Sequence, residues 1–180
     1  MKKLANEELN RKTVDEFKQA KKLPIVLVLD NIRSLNNVGS AFRTADSFLL
    51  EAVHLCGVTG TPPNPEIQKT ALGATETMSW KKHSTTLECI TELINQGYTI
   101  CSAEQAEHSV MLNDFKVDKE KKYALVFGNE VYGVEQNVID KSDYVLEIPQ
   151  YGSKHSLNVA VSIGIVCWEF TKQNIGRARN

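Results

Sequence analysis

Between Tyr144 and Phe170 the chain reads YVLEIPQYGSKHSLNVAVSIGIVCWEF, and that order of residues leaves few folds open. Tyr144–Ile148 is a short apolar run that reads as a buried strand. Pro149 closes it, having no amide hydrogen to give to a further ladder. Gln150–His155 is a polar turn segment around Gly152, suited to close backbone approach by a ligand. Ser156 reads as an N-cap whose hydroxyl accepts from a free first-turn amide. From Leu157 onward Val159, Val161, Ile163, Ile165, Val166, Trp168 and Phe170 leave no polar side. A helix apolar all round has to be buried on all sides. Its only early polar groups, Ser156 and Asn158, sit at its mouth beside a strand end, and the site is expected there.

The earlier chain supplies the rest of an α/β layout. Asn6–Ala20 reads as a helix, so residues 1–22 form a short N-terminal helical extension ahead of one domain over residues 23–180. Leu23–Leu29 is a continuous apolar run, as expected of a strand covered on both faces. Ser40–Phe48 reads as a helix, Val53–Cys56 as a strand and Glu66–Leu72 as a helix. Thr86–Gln96 is amphipathic, with Leu87, Ile90, Leu93 and Ile94 inward and Gly97 as its stop. Tyr98–Cys101 and Tyr123–Phe127 are further strands. Strands alternating with helices predict a mostly parallel sheet flanked by helices.

Composition narrows the function classes. With 42% apolar and 24% charged residues, the 180-residue chain is ordinary globular material. Its first residues lack the apolar core of a signal peptide. The longest apolar stretch, Val159–Trp168, falls short of the ~20 residues that span a bilayer. A cytoplasmic protein is expected. The cysteines at 56, 89, 101 and 167 show no paired spacing and read as buried reduced thiols, and the four histidines carry no metal signature. The net charge of −1 means that an anionic partner has to be held by a local patch.

In a parallel sheet the strand C-termini share one edge, where ligands bind. Polar clusters follow three strands: Asn31, Asn37, Gly39 and Arg43; then Gly128, Asn129, Glu130 and Gly133; then Gly152, Ser156 and Asn158. Singly each residue has an ordinary structural use. Arg43 can pair with Asp46, Glu130 can cap a turn, and Asn37 can cap a helix beginning near Gly39. Converging, they make a binding edge. No G-x-x-x-x-G-K-[ST], G-x-G-x-x-G or G-x-S-x-G explains them.

NVGSAFRTA (Asn37–Ala45), FGNEVYG (Phe127–Gly133), and IPQYG (Ile148–Gly152) through SLNVAVS (Ser156–Ser162) closely resemble, in order, the three motifs of the SpoU/TrmH-type RNA 2′-O-methyltransferases, a SPOUT family. The match runs from Ile25 to about Phe170. The resemblance implies transfer of a methyl from S-adenosyl-L-methionine to a ribose 2′-hydroxyl of tRNA or rRNA. It also implies a homodimer and a deep C-terminal trefoil knot, a feature composition and periodicity would not suggest. Arg43 matches the family's catalytic arginine, and Asn37, Glu130, Ser156 and Asn158 fall in its motifs. The cofactor is expected against backbone at Ser102–Ala103, Val126, Phe127, Gly128, Ile148 and Ser156–Leu157.

A ribose hydroxyl is a poor nucleophile, so the protein has to align it and take up or share its proton. Arg43, with a pKa above ~12, suits holding a phosphate and stabilising charge on the oxygen better than free base catalysis; proton acceptance assisted by a phosphate contact stays open. Glu130 reads as an orienting group, and the scheme needs no metal. The segment ahead of the first motif is short, and the chain ends in Gly176-Arg177-Ala178-Arg179 without a long basic extension. RNA recognition is therefore expected from a patch including Arg33, Arg43, Lys69, Lys81, Lys82 and Lys154. The competing readings are a non-catalytic RNA-binding protein on the same fold, and an enzyme acting on a protein or small molecule.

Overall fold

Leu23–Asp30 (β1) buries Ile25, Leu27 and Leu29 on one face and Val26 and Val28 on the other. A strand apolar on both faces requires a layer of structure on each side. The computed structural model, which describes residues 1–175, builds those layers around a seven-stranded sheet. The other strands are Leu50–Cys56 (β2), Ser79–His83 (β3), Tyr98–Ala103 (β4), Val110–Met111 (β5), Lys122–Phe127 (β6) and Tyr144–Glu147 (β7). Their order is β3-β2-β1-β6-β4-β7-β5, and every neighbouring pair is parallel.

One face is covered by Leu35–Ser47 (α2), Pro65–Ala71 (α3) and Val159–Ile175 (α7), with Val38, Phe42, Ile67, Ile163, Val166 and Phe170 in the core. Thr86–Asn95 (α5) and Gln136–Ile139 (α6) cover the other, through Cys89, Ile90, Leu93 and Val138. Fully burying a side chain of the Leu or Phe class contributes about 1.5–3 kcal/mol, so truncating Leu27 or Phe42, both in the first of these layers, removes much of a marginal stability. Val14–Gln19 (α1) and Ala74–Thr77 (α4) are short surface helices.

Several expectations shift. The N-terminal extension is a 3-10 turn, Asn6–Leu9, and the separate α1, because Asn10 adopts a left-handed conformation and Thr13 starts a new capping box. In α5 the inward stripe is Thr86, Cys89, Ile90 and Leu93, while Ile94 is exposed. The larger correction concerns α7. Asn158, not Ser156, caps it: Asn158 Oδ1 accepts from the amides of Ala160 at 2.9 Å and Val161 at 3.3 Å. Nor is α7 covered on all sides by its own chain, since Val161 (50%), Ile165 (37%) and Trp168 (54%) keep substantial exposure on one stripe. The basic residues at 177 and 179 lie outside the described residues. No helix among the described residues is long and apolar enough to cross a membrane.

Candidate active site

Register aligns the three expected strand ends along one edge, with β4 between the last two: Leu29 of β1 pairs with Phe127 of β6, Phe127 with Ala103 of β4, and Ala103 with Leu146 of β7. The turn after β1 is held tightly. Asp30 is fully buried, yet its carboxylate accepts from Thr86 Oγ1, Asn31 Nδ2 and the Glu135 amide. Three donors offset the cost of burying an acid. Asn31, at φ +55°, receives the Val58 amide on Oδ1 at 3.0 Å and gives Nδ2 to Glu135 at 2.8 Å. Asn129 reaches across from β6 to donate to the Asn31 carbonyl at 2.7 Å.

That frame sets up a hydrogen-bonded relay. Glu130 accepts from the Arg33 amide on one oxygen and from the Ser34 amide and Asn37 Nδ2 on the other, each at 3.0 Å. It therefore caps the start of α2, a position where negative charge meets free amides and the positive end of the helix dipole. Ser34 is the side-chain cap, accepting from the Asn37 amide, so Asn37 lies in the first turn and does not cap a later helix as expected. Asn158 Nδ2 then donates to Asn37 Oδ1 at 3.3 Å. With Asn158 Oδ1 committed to α7 and Asn37 Nδ2 to Glu130, both amide orientations are fixed by their partners. The three segments that the sequence singled out are thus joined in one chain, Asn158–Asn37–Glu130. Burial pulls Glu130 up, but the Arg33, Ser34 and Asn37 donors outweigh it and hold the carboxyl below its ordinary value of 4.5. It stays an acceptor near neutral pH, with both oxygens committed to donors at the start of α2.

Arg43 is exposed and lines a cleft of about 490 Å³ with Ser40, Thr44, Ser47, Phe48, Lys69, Thr70 and Gly164. Among the described residues no carboxylate pairs with its guanidinium. Asp46, its alternative partner, takes the Thr77 hydroxyl instead at 2.5 Å. Five donors in a planar fork, facing a polar cleft with a lysine across it, form a site for a phosphate or a developing oxyanion.

The backbone positions expected to meet a cofactor lie at adjacent ends of β6, β4 and β7, followed by the exposed segment holding Ser156 and Leu157. Gly128 proves necessary for a reason internal to the protein: a Cβ there would meet Gly133 C at 2.0 Å and Val134 N at 2.1 Å. The loop folds back through Asn129–Gly133 hydrogen bonds of 2.9 Å each way. Glu104 Oε2 braces it by accepting from the Val134 amide at 3.0 Å. Gly152 stands in open space. Ser102 turns its hydroxyl to Ser142 at 2.8 Å, leaving only backbone to offer a ligand. Val126 and Phe127 are buried in β6, while Ala103, Gly128 and Ile148 are half-buried. Adjacent strand ends with backbone and small side chains fit a nucleoside-like group lying across them.

The basic residues are spread over several elements, and some of them have partners within the chain. Lys69 shares the Arg43 cleft but pairs with Glu66 at 2.6 Å. Lys81 and Lys82 sit on the edge strand β3, Lys81 on Glu92 at 2.6 Å and Lys82 on the carbonyls of Gly57 and Thr59, each at 2.6 Å. Arg33 and Lys154 are exposed.

The family model described as the SpoU rRNA Methylase family matches residues 24–168. The chain belongs to the SpoU family. It is 31% identical over 160 residues to an uncharacterized tRNA/rRNA methyltransferase of Borreliella burgdorferi, covering 89% of this chain and 68% of that one. It is 32% identical over 151 residues to a 23S rRNA (guanosine-2′-O-)-methyltransferase of Ralstonia nicotianae, covering 83% and 59%. A tRNA (guanosine(18)-2′-O)-methyltransferase of Thermus thermophilus is 25% identical over 169 residues, covering 93% and 84%. Among solved structures, an AdoMet-bound rRNA methyltransferase from Sinorhizobium meliloti superposes with TM-score 0.78 at 26% identity, covering 90% of this chain and 60% of that one. The A. aeolicus TrmH/SpoU tRNA modifying enzyme superposes with TM-score 0.81 at 24% identity over 92% and 82%, a likeness of fold. Within the SpoU frame, residues the sequence reading passed over gain roles. Asp30, Glu104 and Glu135 brace the loops that carry the motifs, and Ser40, Thr44 and Phe48 line the Arg43 cleft. An acid ending an apolar strand, as Asp30 does, was the available signal, because buried charge needs partners.

Proposed function

We propose that this protein transfers a methyl group from S-adenosyl-L-methionine to a ribose 2′-hydroxyl of tRNA or rRNA, the S–CH3 bond breaking as the O–CH3 bond forms, with S-adenosyl-L-homocysteine as leaving group and the hydroxyl proton passing to solvent. The observation that carries it is the Asn158–Asn37–Glu130 relay, which ties the three motif segments together on α2, the helix that also carries the unpaired Arg43. When bound, the cofactor supplies a methyl already activated on a sulfonium. Ala103, Gly128, Ile148 and the backbone at Ser156–Leu157 would hold it at the strand ends. Arg43 binds the phosphate of the target nucleotide and stabilises negative charge growing on the ribose oxygen. Glu130, Asn37 and Asn158 fix the start of α2, and so the helix that presents Arg43, since a misplacement of an ångström is expensive in such a step. Ser156, exposed at the segment ahead of α7, lies within reach of solvent and substrate, not of a helix cap.

RNA is held by a patch in which Arg33, Arg43, Lys69 and Lys154 carry the charge, with Lys81 and Lys82 further out on β3. A second copy of the chain covers the Val161, Ile165 and Trp168 stripe of α7, giving a homodimer, and the C-terminal segment is knotted as in the family. Incubating pure protein with labelled S-adenosyl-L-methionine and total RNA tests the reading. The expected label is a 2′-O-methylribose, read as an alkali-resistant dinucleotide, and separating tRNA from rRNA identifies the target. Label on a base, on protein, or nowhere overturns it.

A further inference from the structure

At the edge of the sheet away from the relay, the fold gathers three residues that sequence spacing kept apart. His54 lies on β2, His83 ends β3 and Cys89 lies on α5. All three are buried, Cys89 completely. His54 Nδ1 and His83 Nε2 are 2.8 Å apart, the rings stack at 5.1 Å between centroids, and one ring nitrogen of each histidine and the Cys89 sulfur all lie within 4.8 Å of one another.

We propose that His54, His83 and Cys89 form a binding site for a borderline-soft transition-metal cation, zinc being the first candidate. The donor set is the argument. Two imidazoles and a thiolate suit zinc and not magnesium or calcium, which take oxygen. Tetrahedral zinc, with bonds of about 2.0–2.1 Å to nitrogen and about 2.3 Å to sulfur, spaces its donors by about 3.3–3.6 Å. The present distances bracket that spacing, so a cation enters by parting the two rings and drawing the sulfur in, through side-chain movement alone. The surrounding shell is also in place. His83 Nδ1 faces Glu92 at 3.9 Å, and Lys81 holds Glu92 at 2.6 Å. A carboxylate behind the far ring nitrogen is how ligating histidines are oriented.

The site is structural, not catalytic. It would fasten the edge strand β3 to β2 and α5. The Gly57 amide bonds the His83 carbonyl at 3.3 Å. Thr59, two residues on, bonds the Leu29 carbonyl at 3.0 Å and receives the Ile32 amide at 2.9 Å, next to Arg33 and Ser34. Cation binding therefore stiffens the turn on which Glu130 acts, without touching the reacting atoms.

The test uses the whole protein, reduced, stripped with chelator and titrated with zinc against a chromophoric chelator, then with cobalt. One zinc per chain, a rise in thermal midpoint, and cobalt spectra with thiolate charge-transfer and tetrahedral bands are expected. Cys89→Ser should abolish the charge-transfer band and the stoichiometric zinc, while Cys167→Ser, a buried thiol elsewhere, keeps both. Should Cys89→Ser fail to fold, Glu92→Gln provides the second arm, with affinity falling about 10–100-fold as for loss of an outer-shell partner. No zinc taken up by the wild-type chain, cobalt bands retained in Cys89→Ser, or unchanged affinity in Glu92→Gln overturns the site and leaves a hydrogen-bonded histidine pair only.

Discussion

Replacing Glu130 by Gln keeps the shape of the side chain and removes one acceptor oxygen and the charge. The native carboxylate takes three hydrogen bonds of 3.0 Å, one from Arg33 on Oε2 and two from Ser34 and Asn37 on Oε1. A glutamine can keep its oxygen on the Ser34 and Asn37 side, but its NH2 then faces the Arg33 amide, donor against donor. Bonds to a charged acceptor contribute about 1.5–3 kcal/mol and neutral ones about 0.5–1.5. The lost charge at the α2 N-terminus adds about 0.3–1 kcal/mol. Because Glu130 is exposed, water takes up part of each loss, and the expected cost is about 2 kcal/mol at neutral pH. For a chain of this size that lowers the thermal midpoint by roughly 4–8 °C. The pH dependence has a definite sign. The folded carboxyl is held below 4.5, so its stabilisation is present above that value and is lost as pH falls through the lowered one. The gap between wild type and variant in urea unfolding should be full at pH 7 and close in acid. A gap below about 0.5 kcal/mol at pH 7, or one that does not narrow as the pH falls through the acid range below 4.5, would refute the capping role.

Arg43→Ala should cut single-turnover methyl transfer by ~100-fold or more, with a much smaller fall in RNA affinity, and Arg43→Lys should fail substantially because the planar fork is gone. Wild-type rates in either variant would remove Arg43 from the chemistry. Gly39→Ala should destabilise by about 1–3 kcal/mol in urea titration, since its Cβ would meet Ile67 O at 2.2 Å and Thr70 Oγ1 at 2.1 Å. Sedimentation should give about twice the 20.1 kDa chain mass, and Trp168→Glu should return it to a monomer. Gly128→Val should lose secondary-structure stability together with cofactor binding, because the crowding partner is the protein's own Gly133–Val134 backbone. Calorimetry and circular dichroism on the same sample separate the two losses.

The strands β1, β2, β4, β6 and β7 were legible because each is an apolar run bounded by polar residues. Ser79–His83 was not, since β3 leaves four of its five residues exposed and so lacks such a run. Val110–Met111 is too short to carry a pattern. The site segments were legible as polar clusters after strands, but their wiring was not. Ser156 and Asn158 are both good cap formers, and the choice fell to Asn158 through a tertiary contact, its reach to Asn37 across 121 residues of chain. The exposed stripe of α7 was hidden because an apolar sequence does not say whether its own chain or another covers it. His54, His83 and Cys89 were invisible as a group because three different elements bring them together.

The position of β6 has a consequence for how the chain is made. Tyr123 pairs with Ile25 on one side and Thr99 on the other, so the sheet's central strand is made after both of the strands it pairs with, and long after β1. Until Phe127 has emerged from the ribosome, β1 keeps one unpaired edge, and β4, whose neighbours β6 and β7 both come later, has neither of its ladders. Such edges invite pairing with other chains, and contacts this distant in sequence form slowly. The period of greatest exposure to aggregation is therefore set by synthesis. Slowing translation ahead of Lys122 should raise the yield of misassembled chains more than slowing it after Glu147, when both neighbours of β4 have been made.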